Sequence, residues 1–216
     1  MLRSEHYAAF ENELAKRHVA LRTNARQYEQ AHELPGWYPH LSSVTPPSVW
    51  TRGTSPDDFR ERCKQLGRGP AVLRDYSKSM KHDWHEAAFI PDVADADAAW
   101  RVAHRFLELR DDSFVGGLVL RRFETLQPDE VRTWWVRGTC VLTTVHPDSK
   151  SSDLPSSVDL SALTPLMRTL RLPFVTADLA LRDDGTWRVI ELGDGQVSDR
   201  PRTTSAEEFL RAVMIP

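Results

Sequence analysis

Cysteine is scarce in this chain. The 216 residues hold only Cys63 and Cys140, and the two form no motif. That usage points to reduced thiols in a cytoplasmic protein. Long apolar runs are missing too. No stretch approaches the roughly 18 residues a membrane span needs, so no membrane partner is expected. The N-terminal MLRSEHYAAFENELAKRH is amphipathic and charged and lacks the apolar centre of a secretory signal. There is no basic excess. The net charge is −3, and nothing in the balance points to nucleic acid. The nucleophile elbow GxSxG, the P-loop and the GxGxxG fingerprint are all absent, and no internal repeat is found.

The length suits one large domain or two small lobes, with enough chain for a core. Among seven tryptophans, Trp37, Trp50, Trp84, Trp134 and Trp135 stand beside polar groups. They either pack the core and a lobe interface or line a substrate cleft.

Helix and strand signals alternate along the chain. Ser4 can cap a helix to about His18, Val19 to Arg22 reads as a short strand, and Asn24 caps a second helix to about Ala31. Residues 35–47 are rich in loop signals. Ser55-Pro56-Asp57-Asp58 starts a helix that ends at Gly67. Ala71 to Arg74 is a strand, and the polar loop DYSKSMKHDWHE follows it. Ala87 to Ile90 reads as a further strand, and Asp95 or Asp97 caps a helix to about Leu109. Strands are expected over Gly117 to Glu124, Val131 to Val136 and Thr139 to Val145, the last two joined at Arg137-Gly138. Asp159 or Ser161 opens a helix, and Ser205 with Glu208 forms a capping box for the last one. The order predicts an α+β protein of two lobes with antiparallel sheets and a cleft.

The most informative stretch is FVTADLALRDDGTWRVIELGDGQ, residues 174–196. Two apolar runs flank Asp183-Asp184-Gly185, and Asp-Gly signals a two-residue hairpin turn. With Asp184 and Gly185 in that turn, Asp178 falls directly opposite Glu191, on one face and about 5 Å apart at Cβ. Leu179 with Ile190 and Ala177 with Leu192 would then form the core face, with Ala180 and Val189 beside the acids. Facing like charges are destabilising. Either a divalent cation offsets them, or arginines pair with the acids, or one acid is protonated. Asp194 lies just beyond the strand.

Two further clusters carry charge. Arg74-Asp75-Tyr76-Ser77-Lys78-Ser79-Met80-Lys81 is either a phosphate cradle, built from cations, hydroxyls and backbone N–H groups, or a charged surface loop. As a cradle, the segment 75–86 would act as a lid, mobile until phosphate orders it. Arg121-Arg122-Phe123-Glu124 and Glu130-Val131-Arg132 place charges on apolar strands. Arg132 should point into a cleft or pair with Glu124 or Glu130. His82-Asp83-Trp84-His85-Glu86 has zinc-like spacing but no matching pair elsewhere, so surface or substrate-side histidines are expected there.

The segments AVLRDYSKSMKHDWHEAAFIPD, GLVLRRFETL, EVRTWWVRGTCVLTTVHPD and FVTADLALRDDGTWRVIELGDGQVSD, with AHELPGWYPHLSSVTPPSVW ahead of them, together resemble the ATP-grasp superfamily. They look most like a branch in which the usual lysine and arginine positions of the nucleotide site are exchanged. The resemblance implies an ATP-dependent ligase with ATP and Mg²⁺ as cofactors. It would activate a small-molecule or peptide carboxylate as an acyl-phosphate for an amine, releasing ADP. An ATP-binding assembly factor or chaperone without ligase activity is the alternative.

By resemblance, Arg74, Lys78 and Lys81 hold the ATP phosphates, and Arg122, Phe123 and Glu124 belong to the hinge beside the adenine. Arg132 reaches the phosphates or the acyl-phosphate. Asp178 and Glu191 bind Mg²⁺, with Asp194 substituting for an asparagine that Gly193 replaces. The implied division is a partial substrate-side subdomain over residues 1–54, a nucleotide-binding lid lobe over 55–120 and a metal-binding lobe over 121–216. About fifty residues precede Ser55 where relatives have a complete α/β subdomain. Either that subdomain is truncated, or the acceptor site is built differently.

Overall fold

The computed structural model describes residues 2–149, 153–200 and 204–214. In chain order the elements are α1 (Ser4–Ala15), α2 (Ala25–His32), α3 (Leu34–Leu41), β1 (Ser48–Trp50), α4 (Pro56–Leu66), β2 (Ala71–Arg74), β3 (Phe89–Ile90), α5 (Ala96–Arg110) and β4 (Val119–Arg122). They continue with β5 (Leu126–Val136), β6 (Thr139–Val145), α6 (Leu163–Thr169), β7 (Phe174–Arg182), β8 (Trp187–Asp194) and α7 (Ala206–Val213). The strands form two four-stranded antiparallel sheets, ordered β1-β4-β2-β3 and β6-β5-β7-β8. The fold class is α+β, as expected. The chain divides into two compact units, one of Met1–Thr45 with Thr125–Pro216 and one of Pro46–Glu124. Among the described residues no helix is long and apolar enough to cross a membrane.

Local chemistry explains several helix ends. Asn24 and Gln27 form a reciprocal capping box on α2, and Ser205 with Glu208 does the same on α7. Ser55 caps α4 with Pro56 in its first turn, and Gly67 at φ 83° ends it. Asp95, not Asp97, caps α5 by accepting from the Ala98 N–H. In the unit of residues 46–124, Phe59, Leu73, Ile90, Phe106, Leu118 and Leu120 pack into one core. In the other unit, Trp134, Phe174 and Val213 pack with Phe209. Trp37, Trp134 and Trp135 are therefore core residues.

Two local expectations are corrected. Residues 34–41 form α3 rather than loop. Pro35 sits in the first turn, where its missing N–H loses nothing, and Gly36 lets α3 press onto α2. A Cβ at Gly36 would lie 2.7 Å from the Gln30 Cα. Glu33 to Gly36 thus mark a helix–helix corner. Val19 to Arg22 is not a strand. His18 turns the chain at φ 58°, and the Arg22 N–H donates to the Gln196 side-chain oxygen at 2.7 Å instead of to a ladder.

The strand pairing also departs from expectation in an informative way. The turn between β7 and β8 has three residues: Thr186 O accepts from the Arg182 N–H, and Gly185 adopts φ 84°. A register shift beside Asp178 compensates. Leu179 pairs with Val189 and Ala180 with Arg188, so Ile190 is the extra residue of a bulge. Beyond it the expected register holds, with Asp178 opposite Glu191 and Ala177 opposite Leu192. Arg137 and Gly138 form the expected two-residue turn, both at positive φ.

Gly117, just before β4, tests the packing of the smaller unit. A Cβ there would sit 2.0 Å from the Thr51 carbonyl oxygen, a backbone atom that cannot swing away. Gly117→Ala should destabilise the chain by about 1–3 kcal/mol, the usual range for overpacking. Urea denaturation of the pair of proteins measures this, and equal midpoints would contradict the close approach.

Candidate functional site

Antiparallel pairing lines up one row of residues across the larger sheet. Thr144 on β6, Arg132 on β5, Asp178 on β7 and Glu191 on β8 are successive cross-strand partners. Directly opposed residues share a face, so one arginine and two carboxylates are brought side by side. Arg132 grips Asp178 with both prongs of its guanidinium, Nε to Oδ1 at 2.7 Å and Nη2 to Oδ2 at 2.9 Å. The side chains of Arg132 and Asp178 are only 13% and 10% exposed. The arginine pairing expected as one reading of the facing acids is present at Asp178. It is neither Glu124 nor Glu130 that holds Arg132.

His146 completes the group and is the residue that sequence reasoning missed. It follows β6 directly, and its backbone N–H donates to the Glu130 carbonyl at 3.0 Å. Its Nδ1 accepts the Asp148 N–H at 3.1 Å. Its Nε2 lies 3.3 Å from Asp178 Oδ2 and 3.0 Å from Arg132 Nη2, and the ring's tautomer sets which of the two it bonds. Strand alternation from the Arg137-Gly138 turn was the available signal. A register shift between Trp134 and Trp135 moves that count by one residue.

Burial pushes the Asp178 carboxyl up, but the hydrogen bonds from His146 and Arg132 more than reverse it, leaving it below its ordinary value. Asp194 behaves oppositely. Strand alternation puts it, three residues past Glu191, on the other side of the sheet. It is fully buried. Its carboxylate accepts the Gln196 N–H at 3.2 Å and the Gln196 side-chain amide at 3.3 Å. Burial raises its pKa, and bonds from Gln196 only partly offset this. That amide also donates to the Tyr7 hydroxyl at 2.9 Å, while His32 Nε2 accepts the Asp194 N–H at 3.2 Å. The structure brings Asp178 and Glu191 together and does not bring Asp194 to them.

The donor set on that face suits a hard cation. Mg²⁺ is usually held by one or two carboxylates plus substrate phosphates rather than by an all-protein cage. Asp178 and Glu191 are oxygen donors on adjacent strands. Among the described residues no group of three or more His, Cys, Asp or Glu could hold a metal ion. The zinc-like run from His82 to Glu86 accordingly gathers no ligand set. It forms a tight turn over Lys81–Asp83 and a wide π turn over Trp84–Ala88.

In the other unit, the basic segment is a closed turn. The Asp75 N–H donates to the Lys78 carbonyl at 2.9 Å, and Arg74 bridges Ser79. The backbone N–H groups of Ser77 and Lys78 and the Ser77 hydroxyl all donate to Asp75 Oδ1, at 2.7, 2.6 and 3.0 Å. Those donors, expected to cradle a phosphate, are spent on a carboxylate of the chain itself. Arg74 is buried and donates to the Ser77 carbonyl at 2.7 Å. Lys78 is exposed. The side chain of Lys81 lies outside what the structure describes. Arg122 donates to the carbonyls of Leu66 and Pro70 at 2.6 and 3.3 Å, closing the link from α4 to β2. Phe123 joins Trp84 and Phe89 in an aromatic cluster, with its ring centroid 5.5 Å from that of Phe89. Glu124 ends the unit and is partly exposed.

Comparisons with known proteins identify the class to which these two antiparallel sheets belong, the ATP-grasp proteins. The family profile of the ATP-grasp domain, R-two-K clade, family 3, matches residues 65–213. The chain belongs to that family. No curated protein matches it. Among solved structures it is similar to a RimK domain ATP-grasp protein from Sphaerobacter thermophilus, at 17% identity and TM-score 0.55, covering 88% of this chain and 68% of that one. It is similar to the D-alanine–D-alanine ligase of Bacillus anthracis in complex with ATP, at 14% identity and TM-score 0.60, covering 97% and 74%. It also resembles the ATP-grasp ligase PsnB complexed with a variant of its minimal precursor, Mg and ADP, at 14% identity and TM-score 0.56. That match covers 97% of this chain and 66% of PsnB, so the chain spans about two thirds of PsnB.

The Arg132–Asp178 pair is open to a direct stability test. Removing one partner of a buried pair leaves an uncompensated charge, at a cost of about 3–5 kcal/mol. Asp178→Ala should therefore lower stability despite relieving repulsion with Glu191, and a gain in urea midpoint would show that the facing acids dominate. Because the folded Asp178 pKa is depressed, its stabilisation is present above the unfolded value of about 3.9. It is lost as pH falls below that value toward the folded pKa. Acid titration of wild type should show this loss, and the variant should not.

Proposed function

We propose that the chain is an ATP-dependent ligase of the ATP-grasp type. The observation that carries the reading is the Arg132–Asp178–Glu191 row in a member of an ATP-grasp family. The reaction transfers the γ-phosphoryl of ATP to a substrate carboxylate. A carboxylate oxygen bonds to phosphorus as the bond to the β-phosphate oxygen breaks, and ADP leaves. An amine then attacks the acyl carbon, phosphate departs and the amine nitrogen loses a proton. The substrates are a small-molecule or peptide acid and an amine.

Phosphoryl transfer needs positioning and charge neutralisation more than a protein nucleophile. Lys78 is proposed to contact the phosphates, with the buried Arg74 adding positive charge beneath its turn. Arg122, Phe123 and Glu124 are proposed to flank the adenine, with the Phe123 ring as the contact surface and Arg122 acting through the backbone it closes. Asp178 and Glu191 would hold Mg²⁺, which when bound supplies charge neutralisation at the phosphate oxygens. Asp178 keeps Arg132 in a fixed orientation, and its remaining N–H groups are proposed to meet a phosphate or acyl-phosphate oxygen. Asp194 is proposed to hold the strand end that carries Glu191.

Mg·ATP at a hundred times its Kd should add about 2.7 kcal/mol of stability by linkage and raise the melting temperature. Asp178→Asn or Glu191→Gln should abolish the part of that rise that depends on the metal. The absence of any rise at millimolar nucleotide, with and without Mg²⁺, would sink the reading. Lys78→Ala should weaken binding by about 1.5–3 kcal/mol, as for a lost charge-assisted contact.

The products give a separate check. Supplied with mixtures of amino acids and peptides, the chain should release ADP and phosphate. AMP and pyrophosphate as the main products would reject the acyl-phosphate route. Binding without any substrate-dependent ADP would favour an assembly factor.

A further inference from the structure

The turn that presents Lys78 is unusual in where its charges sit. Of its central residues, Asp75 and Ser77 are buried, Tyr76 is half-buried and Lys78 is exposed. Asp75 is wholly shielded from solvent. Both of its oxygens are saturated. Oδ1 takes the Ser77 N–H, the Ser77 hydroxyl and the Lys78 N–H. Oδ2 takes Arg110 Nε at 3.1 Å, Arg110 Nη2 at 2.7 Å and the Val115 N–H at 3.2 Å. One carboxylate therefore joins the turn to the last residue of α5 and to the segment entering β4.

Tyr76 adds a second clamp. Its hydroxyl donates to the Thr51 carbonyl at 2.7 Å, and its ring fills the space that a side chain on Gly116 would need. A Cβ on Gly116 would lie 2.1 Å from the ring. The turn backbone is therefore held from both sides, while the lysine side chain is exposed to solvent. These bonds tie residues 75–78 of the expected lid segment 75–86 to the rest of the unit.

We propose that Asp75 is a positioning residue for Lys78: a buried anion that takes the turn's own donors and aims an exposed ammonium from a rigid backbone. The inference rests on Lys78 being the phosphate contact proposed above. Fixing the backbone lowers the ordering that binding would otherwise require. Asp75 itself touches no nucleotide. Its effect on binding passes only through Lys78.

The test combines a double-mutant cycle with amide exchange on the full chain. Asp75→Asn should raise the Kd for Mg·ATP by roughly tenfold, a loss comparable to one charged hydrogen bond. In the Lys78→Ala background the same substitution should change Kd by less than about twofold, because coupled residues are non-additive. Equal effects in both backgrounds would overturn the proposal and leave the ATP-grasp reading intact. If Asp75→Asn does not fold, Arg110→Gln, at the end of α5, replaces it in the same cycle with the same expectations. Without nucleotide, the Ser77 and Lys78 amides should exchange slowly in wild type and faster in the Asp75 or Arg110 variant. Unchanged exchange would also overturn the proposal. If wild type fails to bind Mg·ATP, the functional reading falls, and the exchange result alone decides whether Asp75 holds the turn.

Discussion

A carboxylate set in the middle of an antiparallel sheet beside a second carboxylate needs a cation, and in this chain the nearest one is covalently fixed. Arg132 stands on the strand next to Asp178, in register, and meets it with two hydrogen bonds. Repulsion between exposed like charges across two strands is worth on the order of 0.2–1 kcal/mol. An uncompensated charge at this depth would cost several times more. The pair therefore dominates the energetics of this face, and His146 Nε2 lies 3.3 Å from the same carboxylate. The geometry depends wholly on register. The bulge at Ile190 absorbs the odd residue of the three-residue turn and leaves Asp178 opposite Glu191. Without it, Glu191 would move to the other side of the sheet.

Several arginines elsewhere in the chain serve as donors to backbone carbonyls. Arg22 bonds Val213, Arg74 bonds Ser77, Arg110 bonds Ser113, Arg122 bonds Leu66 and Pro70, and Arg188 bonds Ser43 and Thr45. Most of these carbonyls lie at a helix end or in an irregular link, and that of Pro70 also accepts the Phe123 N–H at 3.0 Å. The planar fork, with five N–H groups, can close such a link while its charge stays near the surface. A basic residue near a strand end is thus ambiguous by composition alone. Lys78, by contrast with the buried Arg74, stands exposed on its turn, where solvent and a ligand can reach it.

Residues 1–45 belong physically to the unit that carries the acid row. Tyr7, Thr23, Tyr28 and His32 gather around Asp194 and Gln196 at the end of β8. Burial, with the Asp194 charge nearby, pushes the Tyr28 hydroxyl up to about 12. The Tyr7 hydroxyl donates to the Thr23 carbonyl, the Gln196 amide donates to Tyr7 and to Asp194, and the Asp194 N–H donates to His32, so buried hydrogen bonds tie the N-terminal segment to this strand end. The part of the chain outside the matched family segment therefore secures the strand that presents Glu191.

Features set by neighbours a few residues apart were legible from the letters. The caps at Asn24, Ser55 and Ser205, the stop at Gly67 and the turn at Arg137-Gly138 each follow from short-range periodicity or turn chemistry, whereas the facing of Asp178 and Glu191, expected from a two-residue turn, arises from a three-residue turn corrected by the Ile190 bulge. Side-chain aim was not. Nothing local says that Arg122 turns back onto α4, that Asp194 faces Tyr7, that His146 reaches Asp178, or that Asp75, anchored by Arg110, takes the amides expected for phosphate. These outcomes depend on partners far away in sequence, or on a one-residue bulge that flips a strand's faces. Local dihedral preferences determine helices, turns and alternation. Which group a polar side chain finally meets is decided only when the sheets assemble, because buried donors and acceptors must then compete for the partners that distant segments bring.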